Sequence, residues 1–236
     1  MLAQPFEIFS NSHLLTLLII VLIAFLLPTL IDSKEEKNKF LIARILGLSA
    51  ITLELIKPFI WHYGMDFPWS RLIPIHMCNL STLFIGIFLL TERRIFFEVS
   101  FFWGIGGGIN ALLTPDVPLT FPDPGYILFF FGHGLLLVCI VYACKALKNR
   151  PTLKSVKNGI YFSLAVLPII YVINILIGPP ANYWYLGTKP AGSSVLDYFP
   201  DPPLHIPFLI IIGAILFFVI YSPYWLYDKF KMKDAQ

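Results

Sequence analysis

The chain has 236 residues, of which 57% are hydrophobic and 13% charged, with a mean hydropathy of +0.76 and a formal net charge of +3. Soluble domains carry about 25% charged residues, so a water-soluble fold is excluded and a polytopic membrane protein is expected. No basic stripe with interleaved aromatics lies outside the apolar runs, which excludes nucleic-acid binding, and three scattered cysteines (Cys78, Cys139, Cys144) make neither a disulfide framework nor a metal site.

A membrane-spanning helix needs roughly 20 mostly apolar residues to cross about 30 Å of hydrocarbon. Seven segments qualify: Leu14–Leu30, Leu41–Ile60, Leu72–Leu90, Ile95–Leu113, Tyr126–Leu147, Gly159–Ile177 and Leu204–Tyr221. The first follows a stretch without Lys or Arg and lacks a small-residue cleavage site, so it is read as a span and not as a signal peptide. The second is the most polar, carrying Arg44, Glu54 and Lys57.

Cytoplasmic loops retain Lys and Arg. Lys34, Lys37 and Lys39 follow the first span, and Arg93 and Arg94 the third. Lys148, Arg150, Lys154 and Lys157 follow the fifth, with Lys145 at its end, and Lys229, Lys231 and Lys233 follow the seventh. The other side holds only Arg71 and Lys189 in its loops. The alternation predicts an all-α, seven-transmembrane helix bundle with its N-terminus outside and its C-terminus cytoplasmic, a single domain over residues 1–236.

The outer connections, Trp61–Arg71, Thr114–Gly125 and Gly178–Pro203, are rich in proline, glycine and aromatics. Loops as long as the last are usually functional or disordered. Tyr183, Trp184, Tyr185 and Tyr198 argue for order and suit a lid at the membrane interface.

Polar groups within a membrane usually face the bundle interior and mark function. On this topology Glu54, Lys57, Trp61 and His62 lie near the outer end of the second helix, and His76, Cys78 and Asn79 in the first turns of the third. Asn110 and Thr114 end the fourth helix, His133 lies about two turns into the fifth, and Asn174 is near the outer end of the sixth. The inner half is apolar except for Glu98. The convergence predicts a site open on one side and sealed on the other. Plainer readings stand beside it. Glu54 and Lys57, at i,i+3, can neutralise each other, and Asn110 and Asn174 can bond neighbouring helices. Cys139 and Cys144 are packing residues, and Gly106, Gly107 and Gly108 permit close helix approach.

Cys78 and His133 both fall roughly 9–11 Å from the outer starts of their helices at 1.5 Å per residue. Equal depth permits contact between a thiol and a base that favours its thiolate. A packed thiol and an interhelical histidine bond are the alternative. His76 is a second candidate base, expected to point away from Cys78 at i,i+2 on a helix.

The run Ile73-Pro-Ile-His-Met-Cys-Asn-Leu-Ser81 resembles the LPLHLC-type motif of the bacterial YwaF family of integral membrane proteins, which is related to eukaryotic transmembrane protein 164. Glu54 and Lys57 before Trp61, Thr114-Pro115-Asp116, His133, Asn182-Tyr183, Lys189-Pro190 and Ser194-Val195-Leu196-Asp197 extend the resemblance over nearly the whole chain. Phe199-Pro-Asp-Pro-Pro-Leu-His205 departs from the Gly-Pro-Trp-Pro-like stretch expected there. The eukaryotic relative is understood as a phospholipid acyltransferase using a membrane cysteine and histidine. The resemblance therefore implies Cys78 and His133 as catalytic residues in a bacterial plasma membrane.

Two functions follow. One is a phospholipid acyltransferase or lipid ester hydrolase, with a thioester on Cys78 and with Glu54, Lys57, Trp61, His76, Asn79, Asn110, Asn182, Lys189 and Asp197 holding substrate. The other is a transporter, sensor or binding module using the same outer pocket. A retinal protein is excluded, because the seventh span has no lysine for a Schiff base. No metal or cofactor and no protein partner is expected; membrane lipids are the expected partners.

Overall fold

Caps and prolines punctuate the apolar runs. In the computed structural model, which describes residues 4–32, 34–189 and 195–233, they divide the chain into α1 (Asn11–Asp32), α2 (Glu36–Met65), α3 (Met77–Thr91), α4 (Arg94–Trp103), α5 (Ile109–Leu113), α6 (Pro124–Lys145), α7 (Leu153–Ile177) and α8 (Ile206–Lys233). Asp66 and Glu92 close α2 and α3 in left-handed conformations. Asp123 accepts hydrogen bonds from the first-turn amides of α6, where Pro124 occupies the first position. Thr152 and Ser155 form a capping box at α7. Gly104–Gly108 is a π-helical turn that joins α4 and α5 into one rod. Among the described residues there is no β-strand, only an isolated bridge between Pro5 and Leu119.

Five elements are long and apolar enough to cross a membrane: Asn11–Ile31, Arg94–Leu113, Pro124–Lys145, Leu153–Ile177 and Ile206–Lys231. Of the other two expected spans, α2 has 30 residues but carries Arg44, Glu54 and Lys57 in its body, and α3 has only 15. Helix three starts at Met77, not at Leu72. Pro74 biases its predecessor away from helical geometry, and residues 66–76 form a connection with one 3₁₀ turn, Trp69–Arg71. The eighth helix runs three turns past Tyr221.

Small residues set the helix crossings. A Cβ on Gly47 would lie 2.8 Å from the Gly86 carbonyl oxygen, and one on Gly86 would lie 2.9 Å from the Gly47 carbonyl, so α2 and α3 touch backbone to backbone. The core between them and α4 and α6 is aromatic and aliphatic, including Phe88, Phe97, Phe102, Trp103 and Tyr142. Around it, α1, α7 and α8 turn leucines, isoleucines and valines outward, as at Leu18, Leu22, Val172, Leu176, Ile211 and Ile215. Such a shell would be costly in water and is at rest in hydrocarbon.

The N-terminal segment from Gln4 and the connections 66–76, 114–123 and 178–189 share one end of the bundle. Phe6 N–H donates to Pro118 O, and Trp184 Nε1 donates to Ile75 O. All Lys and Arg except Arg44, Lys57, Arg71 and Lys189 belong to the opposite end in sequence. There Glu98 is buried, yet its carboxylate accepts from Arg94 Nε (3.1 Å), Ser155 Oγ (2.8 Å) and Asn158 Nδ2 (2.7 Å). A buried carboxylate so fully bonded is a strut between α4 and α7.

Candidate functional site

A cavity of about 780 Å³ opens near the lightly charged end, walled by α2, α3, the α4–α5 rod, α6, α7 and α8. Its polar wall begins on α2. Glu54 is fully buried, and its Oε1 takes a 2.6 Å ion pair from Lys57 Nζ and a hydrogen bond from Asn79 Nδ2. Its Oε2 is buried with no hydrogen-bond partner. Pro58 lies four residues after Glu54 and has no N–H, so the helical ladder is interrupted at the Glu54 carbonyl. Lys57 reaches across to α6, where a Cβ on Gly132 would lie 3.8 Å from its Nζ.

The N-terminus of α3 supplies the next wall. Cys78 is the second residue of that helix, and no side chain caps it. First-turn amides have no helical acceptors, so this end offers free N–H groups beside the thiol. His76 precedes the helix in extended conformation (φ −60°, ψ 152°), and both it and Cys78 line the cavity. The expectation that His76 points away from Cys78 rested on a helix already formed at residue 76; that premise is corrected, and the His76 ring lies against Tyr183 at 4.7 Å. The depth argument is corrected for the same reason: Cys78 is at the tip of α3, while His133 is the tenth residue of α6.

The π turn makes room for the sulfur. A Cβ on Gly107 would lie 3.2 Å from Cys78 Sγ, closer than ordinary packing allows. Such turns occur frequently at functional sites. On α6, His133 Nδ1 donates to the Phe129 carbonyl at 2.9 Å, and the two rings tilt against each other at 4.3 Å. A carbonyl only accepts, so the proton sits on Nδ1 and the Nε2 lone pair is left open in the neutral ring.

The Gly178–Pro203 connection roofs the cavity through Pro180 and Asn182–Leu186. This roof is bolted down. Asn174 and Tyr183 exchange two backbone bonds through the asparagine amide (2.9 and 2.8 Å), so Asn174 serves the roof and not a neighbouring helix. Tyr183 Oη donates to Ser70 O and accepts from Ile73 N–H, Trp184 Nε1 donates to Ile75 O, and His205 Nε2 donates to Tyr185 O. Together they hold Trp184 and Tyr185 at φ 59° and 54°, a conformation costly for bulky side chains. Burial raises the Tyr183 hydroxyl above the usual phenol range; burial and then the Asp116 carboxylate do so for Tyr185.

Of the residues singled out in the sequence, Glu54, Lys57, Trp61, His76, Cys78, Asn79, Asn110, His133 and Asn182 line the one cavity. Asn182 also ties the loop to itself, through Thr188 and Gly187. Lys189 and Asp197 are not part of the lining. Lys189 is spent on Phe199 O and Asp201, and Asp197 is exposed. Pro190 and Ser194 lie outside the described residues. Cys139 is fully buried away from the cavity. Sequence reasoning missed Arg71, Trp103, Asp116 and Ser163 as lining residues, and treated Gly107 as a helix contact only. The triple glycine within Gly104–Gly108 was the available signal for the π turn.

Below the polar wall the lining turns apolar, with Leu164 and Leu167 from α7 and Leu209, Gly213 and Leu216 from α8. The cavity thus joins a polar chamber holding a thiol and an imidazole to an apolar one whose outer walls face away from the core.

The sequence profile of the TMEM164 family matches residues 8–221. An uncharacterized protein of Treponema pallidum (strain Nichols) is 26% identical over 188 residues, covering 80% of this chain and 74% of that one. No solved structure matches.

Proposed function

Because the chain belongs to the TMEM164 family of helical, multi-pass membrane proteins, we propose that it is a lipid acyltransferase or lipid ester hydrolase working through Cys78 and His133 in a seven-span bundle. In this topology α2 and α3 cross the bilayer with the five longer apolar helices, the cavity faces the outer leaflet, and the lysine-rich end is cytoplasmic. The location is the plasma membrane of a bacterial cell. The observation that carries the reading is the shared cavity. A thiol at an uncapped helix tip and an imidazole with an open Nε2 both line it, at the head of an apolar chamber.

His133 Nε2 takes the thiol proton, and the Cys78 thiolate attacks the ester carbonyl of a membrane lipid. The carbonyl oxygen gains charge within reach of the free amides at the start of α3, the role an oxyanion hole performs. Collapse breaks the ester C–O bond. The departing alkoxide takes the proton from His133, leaving a thioester on Cys78. An incoming lysolipid hydroxyl, or water, then gives its proton to Nε2, forms the new C–O bond and releases the thiolate, which recovers the proton. Lys57 and Asn79 hold Glu54 against the polar wall, and Trp61, His76 and Asn110 complete its surface.

The test is an acyl-protein assay. Purified protein in nanodiscs is given a phospholipid with a labelled acyl chain, with and without lysolipid. A hydroxylamine-sensitive adduct on Cys78 that transfers to lysolipid is expected. Unchanged turnover in Cys78→Ala would rule out covalent catalysis there. No adduct and no turnover with any lipid class would leave the cavity as a binding site.

A further inference from the structure

We infer that the apolar part of the cavity is a closed-ended chamber for one lipid acyl chain, with Phe102 and Phe217 as its floor and Gly213 as the residue that sets its usable length. The identity of the polar end rests on the acyl-transfer reading; the shape of the chamber does not.

The two helices that form its outer walls close at one level and open above it. A Cβ on Gly159 of α7 would lie 3.2 Å from the Phe217 ring of α8 and 3.3 Å from the Phe102 ring of α4, so three elements meet there. Phe102 and Phe217 stack with centroids 5.0 Å apart and planes 27° apart, and both are buried. One turn toward the polar end, on the same face of α8, Gly213 lines the cavity, and a Cβ there would meet nothing within 4 Å. The glycine therefore leaves open space directly above a sealed floor. From Leu209 to Phe217 the wall runs about 12 Å along the helix axis at 1.5 Å per residue.

The chemistry of this volume selects its occupant. Its one polar side chain on α7 is Ser163, whose hydroxyl is already engaged, accepting from Trp103 Nε1 and donating to Gly159 O, both at 2.8 Å. Nothing remains to bind a head group. The chamber is also continuous with the compartment of Cys78, which Gly107 of the π turn allows to sit against the α4–α5 rod. A carbonyl placed at the thiol would send its hydrocarbon tail toward the floor. Because the floor is closed, chain length becomes a selection criterion, and a methylene that does not fit costs on the order of 10-fold or more in specificity.

The test compares wild type with Gly213→Leu, Phe217→Ala and Ile215→Phe, the last on the outward face of α8, each in nanodiscs. Acyl-Cys78 formation is measured with phospholipids of graded chain length, and the chain length of co-purified lipid is read by native mass spectrometry. Gly213→Leu should shift both profiles to shorter chains, with about 10-fold loss at the longest chain the wild type accepts. Phe217→Ala should shift them to longer chains, and Ile215→Phe should leave them in place. If acyl-Cys78 forms but Gly213→Leu and Phe217→Ala keep the wild-type profile, the chamber assignment is overturned and the acyl-transfer reading stands. If no adduct forms in any protein but the retained lipid shifts in length, the chamber stands and the chemistry falls. If the retained lipid is also unaltered, both fall.

Discussion

Glu54 and Lys57 form a 2.6 Å ion pair inside the cavity wall, and the pair uses only one of the two carboxylate oxygens. Removing one member of a buried pair strands the other and costs about 3–5 kcal/mol, while removing both is far cheaper. Lys57→Met should therefore lower the thermal midpoint in nanodiscs more than the double variant Glu54→Gln/Lys57→Met does. Equal losses would show that the pair contributes little to the fold.

The proposed chemistry makes unequal demands on the cysteines. Cys78→Ser should lose most turnover, because a hydroxyl is far harder to ionise than a thiol of pKa about 8.5. His133→Ala should cost about 10²–10⁴-fold, the usual contribution of a general base. Cys139→Ala should change turnover little, since its side chain is buried in the core, and Cys144→Ala likewise. Initial rates with a labelled phospholipid decide the matter.

Gly107 is a graded probe of the site. Its missing Cβ is 3.2 Å from Cys78 Sγ, a gap that a shift of a few tenths of an ångström can relieve. Gly107→Ala should thus slow alkylation of Cys78 modestly, and the branched Gly107→Val severely. Thiol labelling kinetics, with intact protein confirmed by thermal unfolding, read the difference.

The roof should come loose when its clamp is cut. Asn174→Leu leaves the Tyr183 N–H and C=O without the amide that satisfies both, at a cost of about 1–3 kcal/mol for a buried unpaired group. Limited proteolysis should then cleave within residues 178–189 faster than in wild type. Unchanged protection would mean that the Tyr183 hydroxyl and Trp184 indole bonds suffice.

Topology is checked by tags. One placed ahead of Gln4 should be reached by antibody on intact cells, and one placed after Lys233 should require permeabilisation. The reverse pattern would invert the bundle and move the cavity to the cytoplasmic leaflet.

Much of this was legible in the sequence because the signals were chemical and one-dimensional. Runs of apolar residues gave the helices. The placement of Glu54, His76, Cys78, Asn110 and His133 near matching helix ends anticipated one cavity, and they share it. What failed depended on geometry with no strong residue signature. The sequence places the start of α3 five residues early because Leu72, Ile73 and Ile75 read as helix, whereas Leu72 closes a 3₁₀ turn, Pro74 follows, and Tyr183 and Trp184 bond to the backbone of Ile73 and Ile75. Lys189 looked like a ligand, but its ammonium is consumed ten and twelve residues later in the chain, by Phe199 and Asp201. Asn174 looked like interhelical glue, and its partner is a loop nine residues away. Hydropathy ranks residues for burial and does not identify their partners.

The length of α8 has a further consequence. Its apolar stretch of 26 residues measures about 39 Å along its axis, against roughly 30 Å of hydrocarbon. An upright helix of that length overshoots, so α8 must lean, or extend its last turns into the head groups, where Trp225, Tyr227, Phe230, Lys229 and Lys231 are suited to anchor it. Where the excess length is taken up by tilt, a change in bilayer thickness changes the inclination of the helix that carries Gly213 and Phe217. If the proposed chamber holds an acyl chain, thin and thick membranes set the same ruler differently, and the surrounding lipid is then both the solvent of this protein and an adjustable part of its selectivity.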